Sequence, residues 1–79
     1  MITLYVKSNC PFSAHVREVC DTLGVPYIEK NVATLGVAEE LIKKGGKKQE
    51  PFLLDEDAGV GLYDSTQIVD YLHGRFGTT

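Results

Sequence analysis

The chain has 79 residues, room for one small domain (residues 1–79) and not for a second core. Its 43% hydrophobic and 24% charged residues and net charge of −3 suit a globular protein without the basic surface that nucleic acid requires. No apolar run reaches membrane-spanning length and two cysteines cannot staple a secreted mini-domain, so the expectation is a cytoplasmic protein with neither membrane nor nucleic-acid partner.

Ile2-Thr3-Leu4-Tyr5-Val6 is rich in β-branched and aromatic residues and reads as a central, buried first strand. Phe12, Val16, Val19, Cys20 and Leu23 then recur at helical spacing, while His15, Arg17, Glu18 and Asp21 fill the other faces. Gly24 supplies a left-handed stop and Pro26 forbids continuation. Tyr27 to Val32 alternates apolar with polar and reads as a second strand nearer an edge. A second helix is expected from Leu35 to Lys44, with Val37, Ala38, Leu41 and Ile42 inward and Lys43 and Lys44 against the negative end of its dipole. Pro51 to Leu54 is a third strand, Asp55 to Gly59 a turn, and Val60 to Tyr63 a fourth strand folded back as a hairpin. Asp64-Ser65 offers a cap for a last helix lined by Ile68, Val69, Leu72 and Phe76.

The order is βαβαββα, an α/β fold whose four-stranded mixed sheet is flanked by three helices. Strands one, two and three connect through helices and are expected to run parallel, with strand four antiparallel to strand three.

The chemistry is suggested between the first strand and the first helix. Cys10 stands at the mouth of that helix, with Pro11 at the first helical position, where its missing N–H has no intrahelical partner to lose. Free N–H groups and the helix dipole there favour negative charge, so a thiol in that place ionises more easily. A buried structural thiol is the plainer reading of any cysteine, but Cys10 lies outside the apolar stripe. Cys20 lies within it and reads as core filler. Ten helical residues hold the two thiols about 15 Å apart, beyond the roughly 7 Å that a disulfide allows. Cys10, His15 and Cys20 point to different sides of the helix and cannot share one metal ion, and neither His15 nor His73 is assigned a role. Lys43, Lys44, Lys47 and Lys48 form the one dense basic run; a solvated helix end is its plain reading, with steering of a small anion as the alternative.

Three separated stretches, Lys7-Ser8-Asn9-Cys10-Pro11-Phe12-Ser13, Gln49-Glu50-Pro51-Phe52 and Gly61-Leu62-Tyr63-Asp64-Ser65, occur in order along the chain. Together they resemble the glutaredoxins of the thioredoxin-like superfamily, over nearly the whole length. The acidic residue and serine leading into an Ile-x-x-Tyr-Leu helix also resemble the N-terminal domain of glutathione transferases. The resemblance implies a glutathione-dependent thiol–disulfide oxidoreductase with Cys10 as its catalytic nucleophile. It implies a glutathione groove built from Lys7, Pro11, Phe12, Ser13, Glu50, Pro51, Asp64 and Ser65, with a cis bond before Pro51. Its partners would be glutathione and glutathionylated proteins or small disulfides, and the protein a monomer.

Ser13 stands where dithiol glutaredoxins carry a second cysteine, so the resemblance is to the monothiol kind. Two rivals accompany it: a [2Fe–2S] carrier in which Cys10 of two protomers and two glutathiones ligate the cluster, and a glutathione-binding module related to the transferases. Pro11, where the iron–sulfur class usually has glycine, opposes the first. A chain ending after the last helix, without a helical second domain, is expected to be a module and not a stand-alone transferase. Glu50, where the family more often has a small apolar residue, is expected to oppose ionisation of the thiol and to weaken the hold on an anionic ligand.

Overall fold

The computed structural model describes residues 1–77. Its elements are β1 (Ile2–Val6), α1 (Pro11–Leu23), β2 (Tyr27–Asn31), α2 (Val37–Gly45), β3 (Phe52–Asp55), β4 (Val60–Leu62) and α3 (Ser65–Phe76), in the expected βαβαββα order. The sheet order is β2-β1-β3-β4. Every residue of β1 is buried, as befits a strand paired on both sides.

One expectation about direction is corrected. β1 and β2 are parallel, from Ile2 opposite Tyr27 to Val6 opposite Asn31, but β3 runs antiparallel to β1, with Tyr5 opposite Phe52 and Ile2 opposite Asp55. The register gives the reason. The chain leaves β2 at Asn31, beside Val6, and enters β3 at Phe52, beside Tyr5, at the same end of the sheet. Residues 32–51 therefore make an out-and-back excursion, and the crossover rule applies only to connections that return at the opposite end. β4 pairs antiparallel with β3, as expected of a hairpin.

Two apolar clusters lie on the sheet. The larger joins Leu4, Val6 and Leu53 to Val16 and Cys20 of α1 and to Ile68 and Leu72 of α3. The smaller joins Tyr5 and Phe52 to Leu41 of α2, with Val32, Val37, Leu54 and Tyr63 packed around them. Each fully buried aliphatic side chain contributes about 1.5–3 kcal/mol.

Two helical faces differ from their expected inward sets. In α1 the inward row is Ser13, Val16, Val19 and Cys20, and Phe12 is 62% exposed. A helical residue advances about 100°, so the row that seats Val16 and Cys20 turns in Ser13 and leaves Phe12 to the side. In α2 the inward row is narrow: Leu41 is buried, Val37 and Ala38 are half-buried, and Ile42 faces outward. The helix also starts two residues later than expected, after Gly36 in a left-handed conformation.

Candidate functional site

The turn from β1 to α1 is built to present Cys10. Asn9 adopts a left-handed φ of 60°, which its short polar side chain tolerates, and Cys10 returns to an extended backbone at the N-cap. No side chain caps this helix, and Pro11 occupies its first turn. The first-turn N–H groups are therefore available to the thiol. The Ser13 N–H pulls the Cys10 pKa below the ordinary thiol value most strongly, against partial burial; the Ser13 hydroxyl, the Phe12 N–H and the Lys7 charge add to it. Ser13 is fully buried, and its Oγ also accepts from the Lys7 N–H at 3.4 Å. Cys20, inside the larger cluster, is the opposite case: burial and the Asp21 charge push its thiol up to about 11.

Glu50 and Pro51 form the facing wall. The Glu50–Pro51 bond is cis, as expected, and Pro51 is buried at the start of β3. Beside it the Tyr63 ring packs on Phe52, 4.5 Å between centroids, and the Tyr63 hydroxyl donates to the Lys47 carbonyl at 2.7 Å while accepting from the Lys47 N–H at 3.1 Å. These two bonds tie the strand entering α3 to the loop before β3. A side chain at Gly45 would run into the Tyr63 hydroxyl, so glycine is what lets α2 end against that ring. Asp64 caps α3 through Oδ1, which accepts from the Thr66 N–H at 2.8 Å.

Phe12, Gln49, Glu50, Pro51, Tyr63, Asp64 and Ser65 line a cleft of about 280 Å³ between these walls. A larger hollow of about 530 Å³ lies over Thr3, Tyr5, Lys30 and α2. It holds no cysteine, and three of its polar groups pair with one another: the Tyr5 hydroxyl donates to Glu40, whose Oε2 pairs with Lys30 Nζ at 2.6 Å. The smaller cleft, with the thiol beside it, is the candidate site.

The fold brings together Phe12, Glu50, Pro51, Asp64 and Ser65 as cleft lining. Cys10, Pro11, Ser13 and Lys7 sit outside that lining, in the turn and first helical turn that carry Phe12. Gln49 and Tyr63 line the cleft without having been singled out; both fall inside the stretches that carried the resemblance. Glu50 Oε2 lies 3.7 Å from Lys48 Nζ, and Glu50 is not among the groups that shift the Cys10 thiol. Lys43, Lys44, Lys47 and Lys48 are all exposed, with Lys44 Nζ 3.8 Å from Glu56 and Lys47 Nζ 4.9 Å over the Tyr63 ring. No cluster of three or more metal-ligating side chains occurs among the described residues.

A family model described as the N-terminal domain of glutathione S-transferase matches residues 4–79. Among solved structures, the chain is similar to isozyme E7 of the glutathione S-transferases of Drosophila melanogaster, with 30% identity, a TM-score of 0.82, and coverage of 100% of this chain and 36% of that one. It is similar to an epsilon-class glutathione S-transferase from the housefly, Musca domestica, with 26% identity, a TM-score of 0.82, and coverage of 100% and 37%. A glutathione transferase homolog from Drosophila mojavensis, with bound glutathione, shares 29% identity at a TM-score of 0.81, over 98% of this chain and 36% of that one. The chain thus spans little more than a third of the length of these proteins. No curated protein matches the sequence.

Proposed function

The chain belongs to the family of glutathione S-transferase N-terminal domains, and from that premise we propose that it binds glutathione in the cleft beside Cys10 and uses that thiol to exchange glutathionyl groups. One observation supports chemistry beyond binding: Cys10 stands at an uncapped helix start, its acidity raised by first-turn donors and Lys7. In this reading the Cys10 thiolate attacks the glutathione sulfur of a mixed disulfide, forming Cys10–S–S–glutathione and expelling the other sulfur as a thiolate that takes a proton from water. A second glutathione thiolate attacks the adduct, releasing glutathione disulfide and restoring the Cys10 thiolate. The cycle needs one cysteine, which accords with Ser13 and with Cys20 sealed in the core. Asp64-Ser65 at the start of α3 receives the γ-glutamyl end, Pro51 and Phe12 flank the reacting sulfurs, and Lys7 and Ser13 hold the thiolate. This is the monothiol glutaredoxin type of reaction, here placed on a transferase-family scaffold.

The similarity to whole transferases supports a second reading, in which the same first-turn groups hold a bound glutathione thiolate for attack on an electrophile supplied by a longer protein. The [2Fe–2S] carrier needs only Cys10 from each of two protomers and is compatible with Ser13; Pro11, where the iron–sulfur class usually has glycine, counts against it.

A disulfide reductase assay with glutathione, run on the wild type, Cys10→Ser and Cys20→Ser, tests the proposal. Cys10→Ser is expected to lose activity and Cys20→Ser to keep it, with one glutathionyl group found on Cys10 by mass spectrometry when glutathione disulfide is supplied. Full activity in Cys10→Ser would overturn the exchange mechanism. Conjugation of an electrophile by Cys10→Ser, without any adduct on the wild type, would establish the transferase reading in its place.

A further inference from the structure

The cleft lining carries two carboxylates, Glu50 and Asp64, and no lysine or arginine. They are not equivalent. Asp64 is exposed, and its Oδ1 accepts from the Thr66 N–H at 2.8 Å. The Glu50 side chain is only 8% exposed, and its nearest cation, Lys48 Nζ, lies at 3.7 Å from Oε2, beyond hydrogen-bond length, on a side chain 51% exposed. No hydrogen bond to the Glu50 carboxylate occurs among the described residues, and since none of them leaves a fully buried side-chain oxygen without a partner, its oxygens keep some contact with solvent. A carboxylate withdrawn from water to this degree is costly unless charge-assisted donors satisfy it. The cleft that Glu50 lines is a side from which such a donor can arrive.

We propose that Glu50 is a specificity-determining residue that accepts a primary ammonium of the thiol or disulfide bound in this cleft. An ammonium fits because it supplies both the missing positive charge and up to three N–H donors from one small group. Lys48 acts as a loosely held substitute that the ligand displaces. This deepens the glutathione reading above and rests on it. The ammonium has two possible sources, the α-amine of the γ-glutamyl residue or an amine on the other half of a mixed disulfide.

Calorimetric binding on the Cys10→Ser chain, which binds disulfides without exchanging them, separates these sources. One pair of ligands is glutathione against N-acetylglutathione. The other is the glutathione–cysteamine disulfide against the glutathione–2-mercaptoethanol disulfide. At least one amine-bearing ligand is expected to bind about tenfold or more tightly than its amine-free partner, the gain of a charge-assisted hydrogen bond. Adding Glu50→Gln should erase that preference by weakening the amine-bearing ligand alone. Adding Lys48→Ala should widen it, a change that misfolding would not produce. The pair that responds identifies the source. Ratios unmoved by Glu50→Gln, with glutathione still bound, would overturn the role of Glu50 and leave the glutathione reading standing. Failure of all four ligands to bind would overturn both.

Discussion

Ser13 shows how one small residue ties the core to the chemistry. Its side chain is fully buried in the inward row of α1, its N–H is the strongest of the groups acidifying Cys10, and its hydroxyl adds a lesser share. The Cys10 pKa lies below its ordinary value of 9.0, so the thiolate fraction at neutral pH exceeds that of a free cysteine. Alkylation by iodoacetamide, followed against pH, should therefore show Cys10 reacting with a midpoint below that of a model thiol. Cys20, pushed up to about 11 and buried, should stay unmodified until the protein unfolds. Ser13→Ala should raise the Cys10 midpoint only part of the way back, because the backbone N–H survives the substitution. A midpoint unchanged in Ser13→Ala would mean that the hydroxyl does not reach the sulfur.

Among the elements, α3 is fastened at both ends by carboxylates. Asp64 caps its first turn, while near its last turn the buried Asp55 accepts from the Tyr71 hydroxyl at 2.6 Å and pairs with Arg75 Nε at 2.9 Å. The Tyr71 hydroxyl is the largest cause holding the Asp55 pKa below its usual value, followed, against burial, by the Ala58 N–H and Arg75. A carboxylate with a depressed folded pKa adds stability above its unfolded value, near pH 4, and loses it as pH falls through the folded one. Tyr71→Phe should cost about 1–3 kcal/mol at neutral pH and flatten the loss of stability below pH 4, both measurable by urea unfolding. An acid limb as steep as that of the wild type would count against Asp55 as its source. The elements themselves were legible in the sequence because each carries a local signal, such as the β-branched run of β1, Gly24 after α1 or Asp64 before α3. The direction of β3 was not, since parallel and antiparallel returns require the same strand residues and differ only in the path of residues 32–51. Phe12 misled for a related reason: an apolar residue one position ahead of an inward row lies about 100° off it, and apolar character alone does not say which row wins. The sequence places Asp55 in a turn, whereas it ends β3 against Tyr71 and Arg75; a lone carboxylate gives no sign that those two will meet it.

Across the whole molecule the two faces of the sheet are unequally covered. Among the described residues the apolar cluster under α1 and α3 joins ten buried residues, and the one under α2 joins three, Tyr5, Leu41 and Phe52. α2 has nine residues and one fully buried side chain, and its outer positions are tied by exposed or half-exposed ion pairs, Lys30 with Glu40 and Lys44 with Glu56. Such pairs contribute about 0–1 kcal/mol each, whereas burial of Leu41 contributes about 1.5–3 kcal/mol, so Leu41 dominates the attachment of this helix. Local opening follows the thinnest packing, and α2 should therefore detach before the α1–β1–α3 core does. Native-state hydrogen exchange is expected to show the α2 amides opening at lower free energy than those of β1 and α1. Leu41→Ala should cost about 2–5 kcal/mol and expose α2 while the larger core keeps its protection; Leu72→Ala, of similar cost, should lower protection throughout. The detachment also reaches the cleft, because α2 ends at Gly45 against the Tyr63 ring and Lys47 fastens the Tyr63 hydroxyl. Ligand bound against Tyr63 should accordingly slow exchange in α2 as well as at the cleft. Protection confined to residues 49–51 and 63–65 would show that the helix and the site open independently.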